Sequence, residues 1–219
     1  QHDAGRMGGG AVESALRSGA GAPGLKLIET LGFDGARLLR LPLHLARLQR
    51  SAALLGWGCD VVAVERALRA AMPDAPARMR LTLDVMGVVE VQAAALPPAK
   101  AEWRLGLADA RLASDDVWLG VKSTRRAGYD TARAGLAVGL DEVIFLNERG
   151  EVCDGTITTL FFDRGQGMRT PPLTCGLLPG VLRADLAVPE EVLLARDLPR
   201  VRLWVGNSLR GLMRAIWVG

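Results

Sequence analysis

Lysine is the scarce residue of this 219-residue chain. Lys26, Lys100 and Lys122 are the only three, and arginine supplies the rest of the 27 basic side chains. Aromatics are thin too: there is one tyrosine and there are four phenylalanines, none in a basic–aromatic array that could stack on bases. The 27 basic residues face 24 acidic ones, so the formal charge of +3 comes with no basic run suited to a nucleic-acid backbone. No apolar run approaches the roughly 18 residues of a membrane span, and no charged, apolar, small-residue leader opens the chain. A cytoplasmic protein is expected. Cys59, Cys153 and Cys175 lie far apart without CxxC spacing, which points to reduced thiols and away from a disulfide framework or a zinc site. His2 and His44 are too few and too separated for a metal centre.

With 49% hydrophobic and 23% charged residues, the chain can bury a real core in one large domain or two modest ones. Residues 1–24 are rich in Gly, Ala and Ser and read as a flexible arm. Apolar runs at Leu25–Leu31 and Arg37–Leu41 flank Gly32-Phe33-Asp34-Gly35, a hairpin pattern. Pro42 suits a helix first turn, and Leu43, Leu45, Leu48, Ala52 and Leu55 follow at near-helical spacing, with Leu45 and Leu48 facing inward. A second helix is expected over Val61–Ala71 and a second hairpin over Arg78–Val85 and Val88–Ala93, making this half ββααββ. Leu96-Pro97-Pro98-Ala99-Lys100 reads as a linker. The expected organisation is a small α/β domain at 25–96, a linker at 97–102 and a larger domain at 103–219. In the larger domain the pattern predicts strands at Trp103–Leu107, Glu142–Leu146, Thr156–Phe162, Glu191–Ala195 and Arg202–Val205. It also predicts a helix-like run over Tyr129–Val138 and a short helix over Gly180–Leu186, an α+β arrangement with a mixed sheet.

Four places could carry chemistry. Lys122 follows the apolar Val121 in a chain that uses arginine for surface charge. An amine there can lose its proton when desolvated and condense with a carbonyl, which a guanidinium cannot; the alternative is a solvated surface lysine. Asp154, in Val152-Cys153-Asp154-Gly155, is either a turn aspartate or a carboxylate held against a ring nitrogen. Thr174-Cys175-Gly176-Leu177-Leu178-Pro179-Gly180 runs into a helix start whose free amides suit a phosphate, or it is an ordinary Pro-Gly turn. His44 and Arg47 share a helix face, and Arg47 is either a phosphate fork or a solvated arginine.

Taken in order, six segments resemble one family. They are Arg40-Leu41-Pro42-Leu43-His44-Leu45-Ala46-Arg47-Leu48, Val121-Lys122-Ser123-Thr124-Arg125-Arg126, Asp141-Glu142-Val143-Ile144-Phe145-Leu146-Asn147, Cys153-Asp154-Gly155-Thr156-Ile157-Thr158-Thr159-Leu160-Phe161, Leu177-Leu178-Pro179-Gly180-Val181-Leu182-Arg183 and Asn207-Ser208-Leu209-Arg210-Gly211. Together they resemble the class IV aminotransferases, the fold-type IV pyridoxal-phosphate enzymes, from about Leu25 to the C-terminus. The resemblance implies a two-domain fold like that of D-amino-acid aminotransferase, a cofactor in the interdomain cleft, and a homodimer. It makes Lys122 the Schiff-base lysine and proton carrier, Asp154 the partner of the pyridinium nitrogen, and Arg47 the phosphate arginine. Val181 and Leu182 would give backbone amides to the phosphate and Ser208 a hydroxyl. Arg126, Arg210, Thr30 and Asn207 fall to the substrate.

The chain departs from the family pattern at Asp154, where glutamate is usual, and at Thr159, where asparagine is usual. It also lacks the Gly-Asp-Gly approach before Leu25 and the arginine–tyrosine clamp of the branched-chain and D-amino-acid transaminases. The segments Lys122-Ser123-Thr124-Arg125-Arg126 with Tyr129-Asp130, and Asn207-Ser208-Leu209-Arg210-Gly211, look like 4-amino-4-deoxychorismate lyases, and most like the lyase module fused to aminodeoxychorismate synthase in some bacteria. That likeness implies elimination of pyruvate to leave 4-aminobenzoate, in folate biosynthesis. A transaminase of branched-chain or D-amino acids and a catalytically silent cofactor-binding protein stand as alternatives.

Overall fold

The computed structural model describes the chain from Met7 to Gly219, with side chains from Gly10 onward. It divides into two compact units: residues up to Leu96 together with Val121–Arg125, and Pro97–Gly120 together with Arg126–Gly219.

In the first unit, β1 (Lys26–Phe33), β2 (Ala77–Asp84) and β3 (Val89–Ala95) form an antiparallel sheet in that order. Alternation puts Leu27, Leu31 and Phe33 on one face, in register with Leu83, Met79 and Ala77. Against it pack α2 (Leu41–Leu55) and α3 (Val61–Ala70), and α1 (Met7–Gly19) packs on α2; their Leu16, Leu48, Ala52, Val64 and Leu68 are all buried. Helix α2 ends at Gly56, whose φ of 73° is the left-handed cap a glycine adopts without strain. Helix α3 opens on Asp60, whose carboxylate accepts the Val62 and Ala63 N–H groups at 3.0 Å.

Residues 121–125 complete this sheet. The Ile28 N–H donates to the Lys122 carbonyl at 2.9 Å and the Thr124 N–H to the Lys26 carbonyl at 2.9 Å, with Leu27 opposite Ser123. The segment thus runs antiparallel along the outer edge of β1.

Three expectations for this half are corrected. The flexible arm at 1–24 is helical over Met7–Gly19, and burial of Leu16, worth about 2 kcal/mol, offsets its glycines; residues 1–6 lie outside the described residues. The second strand of the first hairpin is absent. Asp34 Oδ1 takes the Ala36 and Arg37 N–H groups into a turn, only Phe33 and Leu38 bridge, and α2 begins at Leu41. Finally, α2 buries His44 and Arg47 beside Leu48, whereas Leu45 is only half-buried.

The second unit holds β4 (Glu102–Leu112), β5 (Glu142–Asn147), β6 (Val152–Gly155), β7 (Thr159–Asp163), β8 (Met168–Arg169), β9 (Arg202–Asn207) and β10 (Gly211–Trp217). They form one sheet in the order β6-β5-β4-β10-β9-β7-β8. Strand β4 is parallel to β5 and β10, and the remaining pairs are antiparallel, so the sheet is mixed. Four strands lie between β6 and β7 in that order, yet only residues 156–158 join them and the Gly155 N–H reaches the Thr158 carbonyl at 2.8 Å. The sheet therefore curls round a core that includes Leu105, Ile144, Leu160, Phe162, Leu198 and Val205. Helix α4 (Ala127–Ala134) packs on β4 and β5, and α5 (Val181–Leu186) on β9.

The strand expected at Glu191–Ala195 is missing. Leu193 is fully buried, but the segment bridges only at Leu194 and passes into a 3-10 turn over Ala195–Arg200. β7 starts at Thr159 and not at Thr156, because Glu142 takes up the polar groups of the preceding three residues. Among the described residues, no helix is long and apolar enough to cross a membrane.

Candidate active site

The first unit places Lys122 on an edge segment fixed by β1, next to the buried Ser123 and Val121. In the antiparallel register Lys122 stands opposite Ile28 and Val121 opposite Glu29. Glu29, which the sequence reading passed over, sits in the middle of the helix-covered face and is only 3% exposed. Its Oε1 accepts Arg47 Nε–H at 2.8 Å, and its Oε2 accepts Arg47 Nη2–H at 2.6 Å. His44 Nδ1 lies 2.5 Å from the same Oε2. Burial pushes the Glu29 carboxyl up, but the Arg47 charge and the hydrogen bonds from His44 and Arg47 outweigh it and hold the acid at about 2. Burial pulls the His44 imidazole below its usual value, Glu29 opposes this, and the charges of Arg47 and Lys122 add to it. His44 is therefore neutral at pH 7 and donates from Nδ1. The fork leaves the Arg47 guanidinium with a fixed plane, as a phosphate-binding arginine requires. Thr30, two residues along β1, is half-buried.

The second unit collects the other predicted residues at one end of the curled sheet. Asp154, near the end of β6, is 5% exposed and accepts the Leu178 N–H at 3.1 Å and the Tyr129 hydroxyl at 3.2 Å. Burial pushes its carboxyl up to about 7, further raised by Glu142 and resisted by those two hydrogen bonds and by Arg126. Glu142 is fully buried at the start of β5. It accepts the Thr156 N–H and hydroxyl at 3.0 and 2.6 Å, the Ile157 N–H at 3.2 Å and the Thr158 hydroxyl at 2.9 Å. This cage fixes the turn just after Asp154.

Thr159 opens β7 against the helix start: a Cβ on Gly180 would lie 2.7 Å from Thr159 Oγ1. Gly180 caps α5 with no side-chain bond, so the Val181 and Leu182 N–H groups have no acceptor among the described residues. A Cβ on Gly206 would lie 2.5 Å from Leu182 Cδ2, which puts the β9–β10 turn with Asn207 and the buried Ser208 beside the same helix start. Asn207 Nδ2–H donates to the Ile157 carbonyl at 3.1 Å and its Oδ1 accepts the Arg210 N–H at 2.9 Å.

The arginines assigned to substrate are both engaged. Arg126 donates to Asp130 at 2.7 Å and to the Thr156 carbonyl at 2.9 Å, while its guanidinium lies 5.7 Å over the Tyr129 ring. Arg210 lies 5.1 Å over the Trp103 ring and donates to the Pro98 carbonyl at 3.2 Å.

These residues fit a phosphorylated pyridine. A buried acid poised near neutrality, with one donor on each oxygen, has acceptor capacity left for a ring N–H. Open helix-start amides between two closely approached glycines suit a phosphate.

The sequence from residue 26 to 216 matches the family described as Amino-transferase class IV. The chain belongs to the class IV aminotransferase family. It has that family's fold, and the family's enzymes depend on pyridoxal 5'-phosphate. Among its relatives, a Schizosaccharomyces pombe protein named "Putative aminodeoxychorismate lyase" is 33% identical over 176 residues, 73% of this chain and 72% of that protein. A crystal structure of a "Putative amino-acid aminotransferase" from Mesorhizobium loti is 43% identical, covers 89% of this chain and all of its own, and superposes with a TM-score of 0.84. A Mycobacterium tuberculosis protein described as "A hypothetical aminotransferase", with α-ketoglutarate and PMP bound, shares the fold at 21% identity, with a TM-score of 0.80 over 92% of this chain and 84% of its own.

Within the class IV frame, the residues that sequence reasoning missed are Glu29, Glu142 and Tyr129. A lone acid in the apolar run Leu27-Ile28-Glu29-Thr30-Leu31 was the available signal for the first. The Thr-rich turn after Asp154 hinted at an acceptor for its hydroxyls. Tyr129 was singled out only as part of a motif.

Proposed function

We propose that the chain is a pyridoxal-phosphate-dependent 4-amino-4-deoxychorismate lyase that eliminates pyruvate and leaves 4-aminobenzoate. The observation that carries this reading is the Schizosaccharomyces pombe relative, matched over nearly three quarters of both chains. Lys122 would hold the cofactor through its amine, Asp154 its ring nitrogen, and Arg47, Val181, Leu182 and Ser208 its phosphate.

When bound, the cofactor supplies a carbonyl that condenses with amines and a ring that withdraws electrons from the neighbouring carbon. With the substrate amine held by the cofactor, the Lys122 amine would take the proton from the amine-bearing carbon. Asp154 would keep the ring nitrogen protonated. Breakage of the carbon–oxygen bond to the enolpyruvyl group then aromatises the ring. Lys122 holds the proton that the departing enolpyruvate needs to become pyruvate. Thr30, Asn207, Arg126 and Arg210 are assigned to the substrate, whose two carboxylates suit guanidinium partners.

A second reading, an amino-acid aminotransferase, is favoured by the 43% identical Mesorhizobium loti structure. It uses the same cofactor residues and returns Lys122's proton to a different carbon.

The deciding experiment feeds enzymatically generated aminodeoxychorismate to the protein with added cofactor and measures pyruvate and 4-aminobenzoate, with Lys122→Ala as control. Product from the parent and none from a folded Lys122→Ala is expected. Bound cofactor without product, together with amino transfer to a 2-oxo acid, establishes the aminotransferase instead. Near-normal activity in Lys122→Ala removes the lysine from both mechanisms. Light scattering tests the homodimer, and co-purification with an aminodeoxychorismate synthase tests that partnership.

A further inference from the structure

The chain's one tyrosine is immobilised on three sides. Tyr129, on α4, meets Phe145 of β5 edge-on, with ring centroids 5.0 Å apart at 64°. The Arg126 guanidinium covers its other side at 5.7 Å and is itself pinned by Asp130 and the Thr156 carbonyl. What remains is the hydroxyl, aimed at Asp154 Oδ1 at 3.2 Å, while the Leu178 N–H takes Oδ2 at 3.1 Å. Among the described residues these are the only hydrogen-bond partners of the Asp154 carboxyl. Burial, with the Asp154 charge beside it, pushes the phenol far above its usual range, so Tyr129 donates and never ionises.

Aspartate is one methylene shorter than the glutamate usual at this place in the family. A shorter arm needs an outside contact to hold one rotation. The geometry points to Tyr129 as a positioning residue that fixes the Asp154 carboxyl, one donor per oxygen, so that a remaining lone pair faces a protonated ring nitrogen. This rests on Asp154 being the ring-nitrogen partner. The groups that face the carboxyl are Tyr129 and Arg126 from α4 and its start, Glu142 from β5, Cys153 next to it on β6 and the Leu178 amide.

Because the chain has a single tyrosine, biosynthetic incorporation of 3-fluorotyrosine labels this site alone. In the cofactor-free protein the fluorine resonance should titrate near pH 7 with Asp154, and that titration should vanish in Asp154→Asn. A resonance that does not titrate, or that titrates equally in Asp154→Asn, overturns the inference.

Tyr129→Phe keeps the ring and its contact with Phe145 but loses the donor. Carboxyl-labelled aspartate, read by carbon NMR without cofactor, should show Asp154 titrating roughly one unit higher, since a hydrogen bond to the ionised form is gone. A shift under about 0.3 units overturns it. Should this variant not fold, the fluorotyrosine titration still decides. With cofactor added, Asp154→Asn separates the two claims. If it leaves cofactor absorption and affinity unchanged, the assignment of Asp154 fails. If it changes them and Tyr129→Phe does not, only the positioning role fails.

Discussion

Replacing Glu29 by glutamine tests how α2 is held on its sheet. The carboxylate is 3% exposed and carries two bonds from Arg47 at 2.8 and 2.6 Å, with His44 at 2.5 Å. Glutamine matches its shape, but its amide group turns N–H donors toward donors and removes the negative charge that Glu29 sets against the Arg47 cation. A drop of the acid from 4.5 to about 2 corresponds to about 3 kcal/mol. Removing one partner of a buried ion pair costs about 3–5 kcal/mol, in agreement. The sign is that of a depressed acid. The stabilisation is whole above pH 4.5 and is lost as pH falls through 2, because the unfolded chain binds the proton first. Urea unfolding followed by tryptophan fluorescence, at pH 7 and at steps down to pH 2, should give Glu29→Gln a deficit of about 3 kcal/mol at pH 7 that shrinks through this window. A deficit under 1 kcal/mol at pH 7, or one that does not change with pH, would refute the reasoning.

Four further outcomes are expected. Arg47→Ala should strand the Glu29 carboxylate, lowering stability by about 3 kcal/mol and cofactor retention on dialysis more than turnover at saturating cofactor. Asp154→Asn should stabilise the cofactor-free protein. The raised acid makes the folded state hold a proton the unfolded chain releases, so its cost is absent below pH 3.8 and full above 7, up to about 4 kcal/mol in thermal unfolding at pH 8. Gly206→Ala puts a methyl 2.5 Å from Leu182 Cδ2 and 2.7 Å from the Gly211 carbonyl, so denaturation should show a loss of about 1–3 kcal/mol together with weaker cofactor binding. Asp60→Ala frees the Val62 and Ala63 N–H groups and should lower stability by about 1 kcal/mol with no change in cofactor affinity.

The elements legible in the sequence are those whose packing is local and periodic. Pro42 and the leucine spacing gave α2, which buries one stripe, and alternation gave the β2–β3 hairpin, of which β2 buries alternate residues; β5, read at Glu142–Leu146, is buried at every position. β10 escaped notice because Gly211–Trp217 mixes exposed Leu212 and Arg214 with buried Met213 and Ala215, and its pairing with β4 joins residues more than a hundred apart. The strand misread at Glu191–Ala195 shows the reverse case. Leu193 is buried and its carbonyl accepts the Val152 N–H at 2.8 Å, but only the isolated bridge between Glu151 and Leu194 forms there, too little for a ladder. At the site, chemistry-bearing types at motif spacing were readable: Lys122, Asp154, Arg47 and the loop before α5. The groups that hold them were not. Glu29 answers Arg47 across 18 residues, Leu178 answers Asp154 across 24 and Tyr129 across 25, and nothing in local spacing announces such partners.

The excursion of Val121–Arg125 into the first unit has a consequence for how the chain is made. Lys26 and Thr124, hydrogen-bonded neighbours at the sheet edge, are 98 residues apart. At about 5–20 residues per second, a ribosome needs on the order of 5–20 s between the two. Throughout that interval the outer edge of β1 has no strand beside it, and an open edge is a template for pairing with another nascent chain. A product cut short before Val121 would carry that open edge permanently. The segment that delivers Lys122 is thus also the one that seals the first sheet, so truncated chains should aggregate through β1.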